Sequence, residues 1–179
     1  LYLVGGAADL APSTSTFLKG LPSVGPRSYG GRNLHYGIRE HGRASGVNGM
    51  WLHRGFIVFG ATFLVFADYC RPSLRLAALM GIPAIQVFTH DSFYVGEDGP
   101  THQPVEHVAS LRLIPNMTVI RPAEATETAQ AWLTALQNRM GPTCLILTRQ
   151  NLPVLDRTVC APANGVHQGA YVLWEQGGA

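Results

Sequence analysis

The chain has 179 residues, 46% of them apolar and 13% charged, and 13 basic against 11 acidic side chains leave a formal net charge of +2. That is too apolar and too weakly charged for a disordered tail, and a body of this size hides about 70% of its extended surface, enough for one core without staples. The basic residues are scattered with no run, so neither nucleic acid nor an anionic membrane is implied as a partner, whereas a phosphorylated small molecule stays in play. Cys70, Cys144 and Cys160 show no CxxC spacing and form an odd set, which reads as reduced thiols and a cytoplasmic location. No apolar run reaches the roughly 18 residues of a membrane span, and the opening Leu1–Gly6 lacks a basic leader. A start without Met, directly in a strand-like segment, suggests a piece of a longer protein or a processed chain.

In chain order, short apolar runs rich in β-branched residues predict strands at Leu1–Val4, Phe56–Phe59, Ala84–Thr89, Thr118–Ile120 and Cys144–Thr148. The last three show almost no polar alternation, as expected of strands covered on both faces. Helical spacing predicts helices over Tyr36–His53, Ala67–Met80, Val105–Leu113 and Ala123–Asn138. The last of these places Ala125, Ala129, Trp132, Leu133 and Leu136 at steps of three and four, behind Pro122 and before Gly141 and Pro142. Strands alternating with helices read as an α/β fold with a mostly parallel central sheet flanked by helices.

Two long loops interrupt this pattern: Ala11–Asn33, rich in Ser, Gly and Pro, and His90–Pro104, which gathers two His, two Asp and a Glu. Loops at the C-terminal ends of parallel strands are where such folds place ligands. The domain is expected to span residues 1–155. A linker is expected over 156–168, and residues 169–179, with a strand at Gly169–Trp174, read as the truncated start of a further domain.

Generic phosphate and metal signatures are missing: no GxxxxGK[ST], no GxGxxG after a strand, no HExxH and no Cys/His zinc spacing. Three less generic places remain. Glu40, in GRNLHYGIREHGRASGVNG, reads as a surface glutamate paired with Arg39 or Arg43; were it buried, desolvation would raise its proton affinity and let it share a proton with a ring nitrogen. Phe63, Phe66 and Tyr69 recur at steps of three, which by spacing alone reads as core, and becomes a shelf only for a flat heterocycle. His90 and Arg149 each follow a buried strand, so both should emerge at one rim of the sheet, where a guanidinium fork suits a phosphate. Asp98 and His102 could simply brace the loop that carries them. His35, His41, His53, His107 and His167 have no partner suggested by spacing.

Taken together, GGAADLAPS, GIREHG, FGATFLVFADY, THDSFYVGEDGPTHQPVEH, NMTVIRPA and LTRQNLPVL resemble the pyrimidine-binding domain of the transketolase family across nearly the whole chain. The resemblance implies thiamine-diphosphate-dependent transfer of a two-carbon ketol unit between sugar phosphates. Glu40 matches the catalytic glutamate that hydrogen-bonds N1′ of the aminopyrimidine, favouring the tautomer whose exocyclic nitrogen removes the thiazolium C2 proton. Phe63, Phe66 and Tyr69 match the aromatic pocket around that ring, and Asp9 a segment near the cofactor and a dimer interface. Ser13, His90 and Arg149 match contacts to substrate phosphate, Asp98 a contact to a sugar hydroxyl, and His102 a catalytic histidine beside the reacting atoms.

Departures are Ala7 in place of a usual Ser, Gly42–Arg43 in place of a small and apolar pair, and Phe93–Tyr94 in place of smaller residues in the substrate loop. The GDG…N motif that holds Mg²⁺ (or Ca²⁺) on the diphosphate in a preceding domain has no GDG here. A homodimer or a complementary diphosphate-binding domain is therefore expected as partner, with this chain inactive alone. Alternatives are a dihydroxyacetone synthase, a non-catalytic assembly subunit or, on the residues alone, a phosphosugar isomerase or aldolase-like enzyme using Glu40 as base.

Overall fold

A computed structural model describes residues 2–175. Leu1, the first residue of the first expected strand, and residues 176–179, the end of the expected further domain, lie outside the described residues. In chain order the elements are β1 (Tyr2–Ala7), α1 (Ala11–Thr14), β2 (Asn33–His35), α2 (Glu40–His53), β3 (Phe56–Phe63), α3 (Ala67–Leu79), β4 (Ile85–Thr89), α4 (His107–Arg112), β5 (Thr118–Ile120), α5 (Ala125–Gln137) and β6 (Thr143–Ile146). Single 3₁₀ turns cover Leu64–Phe66, Phe93–Val95 and Pro100–His102, and a longer 3₁₀ helix covers Ala163–Gln168.

The strands form one six-stranded sheet in the order β2-β1-β3-β4-β6-β5, every neighbouring pair parallel. Alternate residues of the central strands enter different cores, which is why those strands carry no polar alternation. Phe88, Cys144 and Ile146 pack with Ala44 of α2, with Cys70 and Leu74 of α3, and with Leu111 of α4. Phe59, Ala61, Ile85, Val87 and Leu145 meet Ala131 and Ala135 of α5 on the other side.

Several expectations shift. The three-residue β2 was missed because Asn-Leu-His carries no strand signal of its own. It joins β1 where Gly6 permits a close approach: a Cβ there would lie 1.7 Å from the Leu34 carbonyl oxygen. Asn33 then pins the preceding loop, accepting from Leu18 N at 2.7 Å and donating to the Leu18 and Leu21 carbonyls at 3.1 and 2.9 Å.

The helix expected from Tyr36 starts at Glu40, because Gly37 turns through φ +64° and Arg39 sits outside helical space at φ −148°. On α5 the buried face is Glu127, Ala131 and Ala135, not the expected Ala125, Ala129 and Leu133, which are exposed; Trp132 and Leu136 flank it.

No strand forms over Gly169–Trp174. The segment expected as a linker instead docks on α5, because Arg157 donates to Glu124 Oε1 at 2.5 Å, to the Ala161 carbonyl at 2.7 Å and to Tyr171 Oη at 3.1 Å. Tyr171 in turn donates to Glu127. Glu124 also caps α5, accepting from the backbone N–H of Thr126 and Glu127.

Between α2 and the sheet Arg43 is fully buried, donating to Gln86 Oε1 and, at 3.6 Å, to Cys70 Sγ, with its Nε unpartnered. It fits because residue 60 is glycine: a Cβ there would lie 2.1 Å from Arg43 Nη1.

Two stability changes follow. Gly60→Ala is expected to lower the unfolding free energy by roughly 1–3 kcal/mol in urea titrations, and most of that cost should vanish in an Arg43→Met background, where the clashing head group is gone. Burial pushes the Glu124 carboxyl up, but hydrogen bonds from Thr126, Arg157 and the Glu127 backbone overcome it and hold it at about 2 against an ordinary 4.5. A depressed carboxylate stabilises the fold above its unfolded value and loses that contribution as pH falls. Glu124→Gln should therefore cost about 1–3 kcal/mol at neutral pH, the deficit shrinking as pH drops from 4.5 towards 2.

Candidate active site

Chain order places β2 and β3 on opposite sides of β1, so the direction of winding reverses there and a crevice opens at the C-terminal ends of the strands. Asp9 lies two residues past β1, in left-handed backbone at φ 63°. Phe63 ends β3, Phe66 ends the following turn, Tyr69 stands in the first turn of α3, and Glu40 opens α2. With His102 these six line one cavity of about 540 Å³, whose remaining wall is Ala8, Leu10 and Ile38.

The aromatic residues are not a core stripe. Phe63 is buried and Tyr69 is 66% exposed, so the row runs from the interior out to the mouth of the cavity. Phe63 and Phe66 lie nearly parallel, 5.8 Å between centroids, with Phe66 and Tyr69 at 5.9 Å. His102 meets Phe66 edge-on at 5.3 Å.

Glu40 is not a paired surface residue either. It is 8% exposed and, among the described residues, no side chain is hydrogen-bonded to its carboxylate. Arg39 donates instead to the Tyr36 carbonyl at 3.0 Å, and Arg43 points into the core. The carboxylate is left facing the cavity at the N-terminus of a 14-residue helix, where free backbone N–H groups favour negative charge.

Next to this cavity His90 directly follows β4, again in left-handed backbone at φ 60°. It is buried, stacked on Phe63 at 3.7 Å between centroids, with Nδ1 2.9 Å from Thr89 Oγ1. Burial lowers its proton affinity; Asp98 raises it, Arg149 and His102 lower it, and Asp91 raises it. The loop after β4 and Arg149, three residues past β6, thus converge on one imidazole. Arg149 donates to the exposed Glu97 at 3.3 Å. Ser13 lies exposed on α1, and among the described residues no hydrogen bond ties it to His90, Asp98 or Arg149.

Sequence reasoning missed two anchors. Asp91, buried, pairs with Arg121 at 2.5 Å and fastens the loop after β4 to the end of β5; its place two residues past a buried strand was the available signal. His107, for which spacing suggested no partner, meets Asp68 at 3.1 Å across 39 positions, a contact only the fold creates. His41 and His167 likewise find partners, in Ser73 and in Thr134 with Gln130.

The family profile described as the transketolase pyrimidine-binding domain matches residues 2–154. The chain belongs to that family. It is 57% identical over 171 residues to a transketolase of Geobacillus stearothermophilus, covering 96% of this chain and 26% of that protein. The crystal structure of Pichia stipitis transketolase in complex with sedoheptulose 7-phosphate superposes with a TM-score of 0.93 at 40% identity, over 99% of this chain and 27% of that one. Transketolase from Leishmania mexicana gives 0.90 at 47% identity, over 94% and 25%. The chain thus spans about a quarter of the length of the relatives it matches. Membership agrees with the all-parallel sheet flanked by helices.

For this domain the His90 imidazole is expected to titrate below 6.5 in NMR spectra of the ring. Asp98→Asn should lower the midpoint further and Arg149→Gln should raise it. A base whose folded value is lowered binds fewer protons than in the unfolded chain. Its contribution to stability is therefore retained above 6.5 and declines as pH falls below it.

Proposed function

We propose that the chain supplies the pyrimidine-binding half of a transketolase active site, in which thiamine diphosphate carries a two-carbon ketol unit between sugar phosphates. The observation that carries this reading is the unpaired, nearly buried carboxylate of Glu40 opposite a row of aromatic rings. The cavity fits the cofactor's ring end. Its volume lies within the ~300–1,000 Å³ range of small-molecule sites, and its wall offers apolar ring faces plus one acceptor.

The wall does not suit the other end: no Lys or Arg lines this cavity, and Asp9 and Glu40 would repel a diphosphate. Mg²⁺ or Ca²⁺ and the residues that hold the diphosphate therefore come from another domain, either of a second subunit in a homodimer or of a complementary chain. The coverage of only a quarter of each relative supports the same division.

When bound, the cofactor supplies a nucleophilic carbon that accepts the ketol unit and returns it to an aldose. The chain's own residues prepare that chemistry. Glu40 holds a proton against the ring nitrogen N1′, in a setting where few waters compete for it. Phe63, Phe66 and Tyr69 orient the flat ring and exclude water. Asp9, exposed just past β1, stands on the cavity wall. His102, edge-on to Phe66 at the cavity, is placed to exchange a proton or hydrogen bond with the reacting oxygen.

Beyond the ring, His90 and Arg149, with Ser13 from α1, receive the sugar phosphate, and Asp98 a sugar hydroxyl. Arg149 is half-exposed and its partner Glu97 is solvent-facing, a weak pairing that a phosphate can displace. The loop whose sequence carries Phe93 and Tyr94 sets which acceptors pass. The reading places the protein in the pentose phosphate pathway and in the cytoplasm. Three free thiols and described helices too short and polar to cross a membrane are consistent with that location.

In the assembled enzyme Glu40→Ala should lower ketol transfer by about 10²–10⁴-fold, measured as kcat/KM with a ketose donor and ribose 5-phosphate. Activity within a few fold of wild type would remove Glu40 from the mechanism.

A further inference from the structure

At the end of the loop after β4, where α4 begins, the His107 imidazole has a carboxylate on each side, Asp68 by Nε2 and Glu106 by Nδ1. The His107 side chain is 6% exposed. Its Nε2 lies 3.1 Å from Asp68 Oδ2, and an ionised carboxylate accepts only, so Nε2 carries the proton and Nδ1 the lone pair. Nδ1 is buried and has no hydrogen-bond partner. What it faces is Glu106 Oε2 at 3.8 Å, another acceptor. A proton on Nδ1 would not mend this, because 3.8 Å is beyond hydrogen-bonding range.

We propose that a divalent cation of borderline softness, zinc first among them, bridges His107 Nδ1 and Glu106, with Asp68 orienting the imidazole from the opposite side. Metal bonds of about 2.0–2.2 Å at a tetrahedral angle place nitrogen and oxygen roughly 3.3–3.5 Å apart, so a small rotation of the exposed Glu106 side chain brings the 3.8 Å pair to bridging distance. The arrangement of carboxylate, histidine and metal is the usual one for a ligating imidazole, whose second nitrogen donates to an acceptor that sets its tautomer. Asp68, Glu106 and His107 are also the only residues among those described that bring His, Cys, Asp or Glu ligand atoms, one from each of three residues, within 4.8 Å of one another. Asp68 and Glu106 are more than half exposed, which leaves room for water to complete the coordination shell.

The bridge would have a structural effect. Asp68 precedes Tyr69 on α3, and Glu106 and His107 follow the loop that carries His102. A cation held by His107 Nδ1 and Glu106 therefore fixes the tautomer in which Nε2 donates to Asp68 at 3.1 Å, and so strengthens the contact that ties α3 to the end of the loop. It is separate from the ion that holds the diphosphate, since it needs no residue from outside this chain.

The test is a zinc titration of the chelator-treated full protein by calorimetry, compared with the same titration of Glu106→Gln and His107→Gln. We expect wild type to bind one more equivalent than His107→Gln, with a dissociation constant at or below about 10 µM, and Glu106→Gln to weaken that equivalent at least about tenfold. Cobalt in place of zinc should show a visible absorption band indicating nitrogen ligation that His107→Gln removes. Equal zinc stoichiometry and affinity in wild type and both variants would overturn the proposal. So would a cobalt spectrum unaffected by His107→Gln. Glu106 is a solvent-facing side chain, so its variant is expected to fold and decides the matter even where His107→Gln does not. None of these readouts uses ketol transfer, so the outcome is independent of the role assigned to Glu40.

Discussion

A carboxylate taken out of water without a partner costs free energy that the rest of a protein has to offset. Glu40 is such a group, and the architecture around it is what makes its position tolerable. It opens α2 rather than sitting within it, so the free N–H groups and partial positive charge of the first turn lie beside it. It faces a cavity rather than packed side chains, so one face of the carboxylate stays available to a donor. The cavity exists because β2 and β3 leave β1 in opposite directions, and the adjoining helices cannot both cover the strand ends there.

The same rim logic accounts for the rest of the site. Asp9, Phe63, His90 and Arg149 all stand at or just past the C-terminal ends of parallel strands, although 140 positions separate the first from the last. Asp9 and His90 adopt left-handed backbone that a larger apolar residue would resist, and each turns its side chain sharply out of the strand direction. His90 is then trapped between Phe63 and the loop charges. That explains why its proton affinity is set by burial first and by Asp98, Arg149 and His102 second.

One polar group runs against this economy. Arg43 is buried to 0% exposure on a face otherwise built of Ala44, Leu64, Cys70 and Leu74, and its guanidinium finds an amide and a thiol but no carboxylate within 4.0 Å. Its charge is felt nearby: burial pushes the Tyr36 hydroxyl up to about 12 although Arg43 pulls the other way, and the Cys70 thiol is raised by burial despite the same influence. The fold accommodates the side chain by leaving residue 60 without a Cβ. Such a residue is retained at a cost in stability that the two large apolar cores carry.

What the amino-acid order determined by itself was local and periodic. Two-sided burial of β4 and β6 was readable in unbroken apolar runs, because strand burial writes itself into composition at short range, and the β5 expectation over Thr118–Ile120 matches residue for residue, although that strand lies at the sheet edge and is only half-buried. The motifs that mark the family are likewise contiguous. Tertiary structure alone decided which acid is buried and which is paired. Glu40 and Glu124 look alike as isolated glutamates near helix starts, yet one faces a cavity unpartnered, while Arg157, brought from 33 positions away, grips the other. It also decided that Leu133 faces water while Glu127 is buried, that Asn-Leu-His becomes a strand, and that residues 156–168 dock on α5. Each of these depends on a neighbour distant in sequence. The energy of a charge or an edge strand is set by what the fold places against it, and no window of adjacent residues contains that information.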